Sequence, residues 1–222
     1  MKDVVIFGAG DQAQVAYVCL SEDSPYRVVA FTVNREYIKG DQKLFDLPVV
    51  PFEELESSHP PDTHAMLVSV GFKRVNELRA ELYRECKARG YELISYVSSR
   101  AIRVGPVEVG DNCFILEANV LQPFVHIGNN VVLWSGNHIG HHSRIEDDVF
   151  VASHAVISGK VTIGRATFVG VNATFRDGVK VGPRCVIGAG AAILHDTAEG
   201  DVYAGPSTPP DKRKSWELKS FQ

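Results

Sequence analysis

The 222-residue sequence predicts an α/β N-terminal domain, built on a small Rossmann-like parallel sheet, followed by a solenoid of short stacked strands. Three observations carry this reading. The first hundred residues alternate apolar β-branched runs with helical stretches; "VVIFGAGDQAQVA" joins a strand to a helix through glycines; and from Val109 onward every sixth residue is a large apolar one. The change of period divides the chain into residues 1–100, 101–200 and a C-terminal tail, 201–222.

In the first part, residues 4 to 8 form a buried strand, 11 to 20 a helix and 26 to 33 a second strand. A short helix spans 51 to 58 with Pro51 at its start, where a missing N–H costs nothing. Residues 64 to 71 form the next strand. "RVNELRAELYRECKARG" then sets Val75, Leu78 and Leu82 on one helical face, with Cys86 beyond, and stops at Gly90; residues 92 to 97 close the unit as a strand. Strands alternating with helices imply a parallel sheet.

The sixfold series runs Val109, Ile115, Leu121, Ile127, Leu133, Ile139, Ile145, Val151, Ile157, Ile163, Val169, Phe175, Val181, Ile187 and Ile193. Numbering each hexad from its guide residue, position five is small or β-branched throughout, from Cys113 to Ala191, and position two is often glycine. A period of six carries a helix's guide residue to a new face every turn, and a single long strand never returns to bury its own. Stacked coils that bury the guide residues in one column satisfy the pattern. The segment 102 to 210 resembles the hexapeptide-repeat acyltransferases. That resemblance implies a left-handed parallel β-helix of about five coils, three hexads to a coil, used as a homotrimer with acetyl-CoA between neighbouring subunits.

"SGNHIGHHSRI" places His138, His141 and His142 close together. In the hexad frame His141 is position three and His142 position four, at a turn, and Gly159 lies 18 residues on, one coil above His141. "IGHHSRIEDDVFVASHAVISG" is similar to the catalytic segment of amino-sugar N-acetyltransferases, whose histidine base falls on His141 and whose oxyanion-binding glycine falls on Gly159. A neutral imidazole suits removal of an amine proton at neutral pH. Relatives carry Glu or Asp after that histidine, and here His142 stands in its place as a second catalytic candidate. The bland alternative is a solvated turn histidine. A zinc site of the γ-class carbonic anhydrase kind, recruiting His138 and His154 across an interface, is a further alternative; the favoured reading has no metal. His126 and His154 read as structural or rim residues, and Asn119 and Asn137 as a short interior ladder.

In the first domain, Gly8 and Gly10 let a pyrophosphate approach the helix N-terminus, as in dinucleotide-binding turns, with Ala13 where a third glycine would stand. The second strand ends at Asn34 rather than an acid, and no second βαβ half follows, which weakens an NAD(P) reading. This truncated unit fused to a solenoid resembles enzymes acting on dTDP-4-amino-4,6-dideoxyhexoses for surface polysaccharide (O-antigen, lipopolysaccharide) assembly. The resemblance implies Gly8, Gly10, Asp11 and Gln12 at phosphates and sugar, and Val33 and Asn34 at the base. Lys73, Arg74 and Asn76 sit where parallel-sheet ligands lie, with an exposed helix start as the alternative for Lys73 and Arg74. Trp134 is either interface packing or a wall of the sugar site, and His138 is a possible cleft residue. Val171 and Ala189 fall on the coenzyme face, and Lys212 and Arg213 in the tail are placed to meet coenzyme phosphates. A sugar O-acetyltransferase of the sialic acid type shares these parts.

The bulk numbers exclude other classes. A net charge of -4 argues against a nucleic-acid or membrane-surface partner. The N-terminus carries no signal-peptide pattern, no apolar run reaches membrane-spanning length, and four widely spaced cysteines suit a reducing cytoplasm.

Overall fold

The computed structural model describes residues 2–38, 40 and 42–217. Strand β1 (Asp3–Phe7) leads through a glycine turn into α1 (Asp11–Asp23) and then β2 (Val28–Val33). A hairpin of β3 (Lys43–Leu44) and β4 (Leu47–Pro51) precedes the short helix α2 (Leu55–Ser58), and β5 (His64–Val68), α3 (Glu77–Ala88) and β6 (Glu92–Leu93) complete the unit. The sheet order is β3-β4-β2-β1-β5-β6, parallel except for the β3–β4 pair. β1 is paired on both edges, with β2 and β5, and covered on both faces: Val4 and Ile6 pack with α1 and the prism, Val5 and Phe7 with α2 and α3, so Val4 to Phe7 are apolar and buried.

From Tyr96 onward the chain forms a left-handed parallel β-helix with three sheets of seven, six and five strands. Each rung pairs with the one 18 residues away, as in Phe114↔Val132, Val132↔Phe150 and Phe150↔Phe168. The guide residues from Ile115 to Ile193 are at most 3% exposed and form one column with the position-five residues. Val109, at the open end, only packs against that column. Corners are made at position four, where the backbone is left-handed in every full hexad. Eleven non-glycine residues there, Asn112 to Arg184, have φ between 51° and 66°, and Gly136, Gly178 and Gly190 occupy the others. An uninterrupted ladder of interstrand hydrogen bonds offsets that local cost.

The α/β unit docks on the first prism face, the one carrying Phe114, Val132 and Phe150 at position six. These pack with Val4, Ile6, Ala13, Leu20 and Leu67 in a shared apolar core. Polar side chains then fix the docking. Arg79 of α3 is fully buried and donates to the carbonyls of Asn130 and Asp148 (3.3 and 2.7 Å) and to Asn76 Oδ1 (2.9 Å). Asn76 donates in turn to the carbonyls of Ala166 and Thr167. Burial pulls the Arg79 guanidinium down to about 10, still above neutral pH, so it stays charged. A ladder of position-four residues runs beneath: Val68 N–H donates to Asn112, which donates to Asn130, which donates to Asp148.

Two expectations change, and one element had no counterpart in the sequence reading. Residues 92 to 97 are not one strand: β6 pairs with β5, whereas Tyr96–Val97 is the first rung of the prism because its amide meets Cys113 one coil on. The helix expected from Arg74 begins at Glu77, since Arg74, Val75 and Asn76 all have positive φ and Asn76 is drawn into the prism corner. The β3–β4 hairpin, with Phe45 and Asp46 left-handed at its turn, carried no glycine signal in the sequence. At the far end Val202–Tyr203 adds a last rung, so part of the tail pairs with the prism.

Candidate active site

A cleft of about 920 Å³ opens between the carboxyl ends of β1 and β2 and the first prism face. Open parallel sheets bind ligands at this end of their strands. Gly8 is needed where β1 turns: its φ is +133°, and a Cβ there would lie 2.6 Å from the Ser69 carbonyl oxygen. Gly10 caps α1 without any side-chain hydrogen bond, which leaves first-turn N–H groups facing the cleft for an anion. Asp11, Gln12, Val33, Asn34 and Lys73 line the same space, and so do Glu36, Tyr37 and Phe72, which the sequence reading did not single out. Phe72 leans on Phe150 and Phe168 with ring centroids 5.2 and 4.6 Å away. Trp134 lines the cleft from the prism and packs into the shared core, as one wall of the hollow. Val171 lies on the same prism corner at the cleft edge, with Ala189 one coil above.

Arg74 is not part of the lining; its left-handed backbone turns the guanidinium to an ion pair with Glu81 of α3. A smaller hollow of about 510 Å³ lies at the opposite, amino ends of the strands, beside Lys2, Thr63 and Glu92.

The histidines are elsewhere. His138 lies in a rung of the second face between Val120 and Val156, half-buried. His141 and His142 form the corner between the second and third faces and do not line the cleft. The His141 ring lies directly against Gly159: a Cβ at Gly159 would come within 2.7 Å of its Cε1 and 2.8 Å of its Nε2. The same point is 3.1 Å from Asp177 Oδ1, so an acid the sequence reading passed over stands across the glycine from His141. Among the described residues, the Gly159 N–H has no protein acceptor. On its other side His141 Nδ1 is 3.1 Å from His142 Nδ1, and its backbone N–H donates to Gln122 Oε1 at 2.9 Å. His142 is left-handed (φ 58°) and its ring rests on Phe124, centroids 4.7 Å apart.

Of the remaining candidates, His126 pairs with Glu108 on the third face (2.9 Å) and His154 covers Gly136 at a corner. Asn119 and Asn137 are buried; Asn137 accepts from Ala155 N–H at 2.8 Å, whereas Asn119 Oδ1 has no partner. Lys212 and Arg213 are exposed, and Arg213 pairs with Asp211. Among the described residues, no group of three or more His, Cys, Asp or Glu side chains is placed to hold a metal ion. No helix among them is long and apolar enough to cross a membrane.

Comparison with known proteins gives the following. Residues 124–159 and 160–195 match the family described as bacterial transferase hexapeptide (six repeats). Serine acetyltransferase of Bacillus licheniformis is 32% identical over 94 residues, which are 39% of this chain. The chain spans 35% of that relative's length. The acetyltransferase domain of PglB from Neisseria gonorrhoeae superposes with a TM-score of 0.80 at 22% identity, over 91% of this chain and 96% of that one. An asparagine variant of perosamine N-acetyltransferase from Caulobacter crescentus, solved with CoA and GDP-perosamine, gives 0.82 at 22% identity, over 91% and 93%. The fold is therefore shared along nearly the whole chain.

Proposed function

We propose that this chain is an acetyl-CoA-dependent N-acetyltransferase that acetylates the amino group of a nucleotide-linked amino-deoxy sugar. The observation that carries the reading is the His141–Gly159 contact: Nε2 of the ring lies against a glycine whose backbone N–H has no protein acceptor among the described residues. The parts suit acyl transfer. His141 Nε2 takes the proton of the amine as its nitrogen attacks the thioester carbonyl, and the Gly159 N–H donates to the oxygen that becomes negative. That attack forms the C–N bond; collapse of the tetrahedral intermediate restores the carbonyl, breaks the C–S bond and returns the proton from His141 to the coenzyme thiolate. No acyl-enzyme is required. The cleft supplies the other half: Gly10, Asp11 and Gln12 with the start of α1 for the diphosphate, Lys73 as a cation beside it, Val33 and Asn34 toward the base, and Trp134 against the sugar.

The cleft and His141 belong to different parts of one chain, which fits a homotrimer whose sites combine the cleft of one subunit with the histidine corner of the next. Val171, Ala189, Lys212 and Arg213 are assigned to the coenzyme side. The CoA and GDP-perosamine bound by the Caulobacter enzyme support this substrate class. A dTDP-4-amino-4,6-dideoxyhexose is our favoured substrate and surface polysaccharide assembly in the cytoplasm its setting. Purified protein with acetyl-CoA and a dTDP- or GDP-linked 4-amino sugar is expected to release free thiol. His141→Asn lowers kcat by about 10²- to 10⁴-fold with little change in KM; full activity in that variant overturns His141 as the base, and no thiol release by the parent, or stoichiometric zinc in the purified protein, overturns the acetyl-transfer reading.

A further inference from the structure

The geometry points to His142 as the residue that holds His141 in its basic tautomer, a neutral imidazole doing what a carboxylate would otherwise do. This inference rests on the acetyl-transfer reading of the same corner.

Two ring nitrogens 3.1 Å apart share one proton: one donates and the other accepts. The nitrogen of His141 at the Gly159 side is Nε2. To accept a proton there it must carry a lone pair, so the ring's own proton is on Nδ1 and points at His142. His142 Nδ1 then accepts, and its proton is on Nε2. When His141 takes the substrate's proton it still donates through Nδ1–H, so the contact persists unchanged through the transfer. Both rings are held for this. His142 is anchored by its left-handed turn, by its N–H to the Pro123 carbonyl (3.1 Å) and by Phe124 beneath it; His141 is fixed by Gln122.

Charged residues near this corner in sequence or register are Asp177, across Gly159 from His141, Arg176 beside it, Lys160, next above His142 in the position-four column, and Arg144, two residues beyond His142 on the third face. Among the described residues none of these makes a hydrogen bond with His142, whose ring is bonded to His141. A neutral acceptor leaves the His141 imidazolium without a carboxylate partner, so it returns its proton readily. Protonation of His142 puts two N–H donors face to face and breaks the pair.

The test has two arms. In ligand-free, ¹⁵N-histidine-labelled protein, long-range ¹H–¹⁵N spectra are expected to show His141 as the Nδ1–H tautomer and His142 as the Nε2–H tautomer. His142→Phe keeps a ring on Phe124 but no acceptor; it is expected to lose the His141 tautomer preference and about tenfold in kcat, with KM for acetyl-CoA unchanged. His142→Glu restores kcat and moves the acid limb of kcat up by about one pH unit, because a carboxylate favours the imidazolium. His142→Asn, suited to the left-handed turn and carrying an acceptor oxygen, stays within about threefold of the parent. An Nε2–H tautomer of His141, a His142→Phe kcat within about twofold of the parent, or an unmoved acid limb in His142→Glu overturns the inference. No thiol release by the parent protein with any nucleotide-linked amino sugar overturns the acetyl-transfer reading instead, and the tautomer spectra then stand independently of it.

Discussion

At position 159 hydrogen is the only side chain that fits, because a methyl group would press on the His141 ring from one side and on Asp177 from the other. The ring contact is the closer of the two, 2.7 Å against 3.1 Å, so the ring is what must give. Gly159→Ala is therefore expected to leave the prism folded, since the backbone there needs no positive φ, but to displace His141 and lower kcat by about 10²-fold. Unchanged kcat with an unchanged Tm would show that His141 does not act from this position. How legible the site was depends on the residue. His141 and Gly159 could be paired from their spacing, because 18 residues is one coil. Asp177, one further coil up, has the same spacing and was available to the same count. Phe72, Glu36 and Tyr37 were not, since Phe72 lies in the irregular segment after β5 and Glu36 and Tyr37 on a short 3-10 segment, neither of which local periodicity encodes.

The helix α3 shows how an element is placed by side chains that its own amphipathic pattern does not explain. Arg79 enters the prism corner fully buried and donates to the carbonyl oxygens of Asn130 and Asp148, which its removal would leave without that donor. Arg79→Met is expected to lower stability by about 3 kcal/mol, or roughly 6 to 12 °C in Tm for a chain of this size. Equal Tm values would mean those carbonyls find other donors. Asp23, at the end of α1, ties that helix to the first coil by accepting from Ser99 N–H (2.9 Å), Tyr96 O–H (2.8 Å) and Ser98 O–H (3.1 Å). Hydrogen bonds from Ser99 first, then Tyr96 and Ser98, hold its carboxyl well below the usual range. A carboxylate depressed in the folded state stabilises at pH above its unfolded value of about 4, and the contribution is lost as pH falls through the folded value. The stability gap between the parent and Asp23→Asn is thus expected to be constant above about pH 5 and to close on acidification below about pH 4; a gap that persists at low pH would contradict the assignment. Elements were legible where one period ran unbroken, as in β1 and the whole prism. They were misjudged at Arg74 to Asn76 and at 92 to 97, where contacts with the prism override the local pattern.

For the whole molecule, the separation of cleft and histidine corner makes a quantitative expectation of the proposed trimer. Gly10 faces open space with an ordinary φ, so Gly10→Arg fills the cleft without disturbing the fold. Chains carrying Gly10→Arg and chains carrying His141→Asn are each expected to be inactive, and equal amounts refolded together to recover about a quarter of parental activity, if each site draws its two halves from neighbouring subunits. No recovery would place both halves in one chain. The docking of the α/β unit on Phe114, Val132 and Phe150 was not legible in the sequence, because outward aromatic residues at position six look the same whether they meet a domain, a second copy or solvent. The coil itself has a different consequence, for how such a chain can change length. Between His141 and Gly159 the molecule keeps count like a ruler. Loss or gain of six residues there would pass every local test of a good hexad and still carry all that follows round to another face, taking the glycine away from the histidine. Only an insertion that bulges out as a loop leaves the pair in phase, so variation in length is expected to collect in protrusions at corners, while the distance along the ladder between these two residues stays fixed.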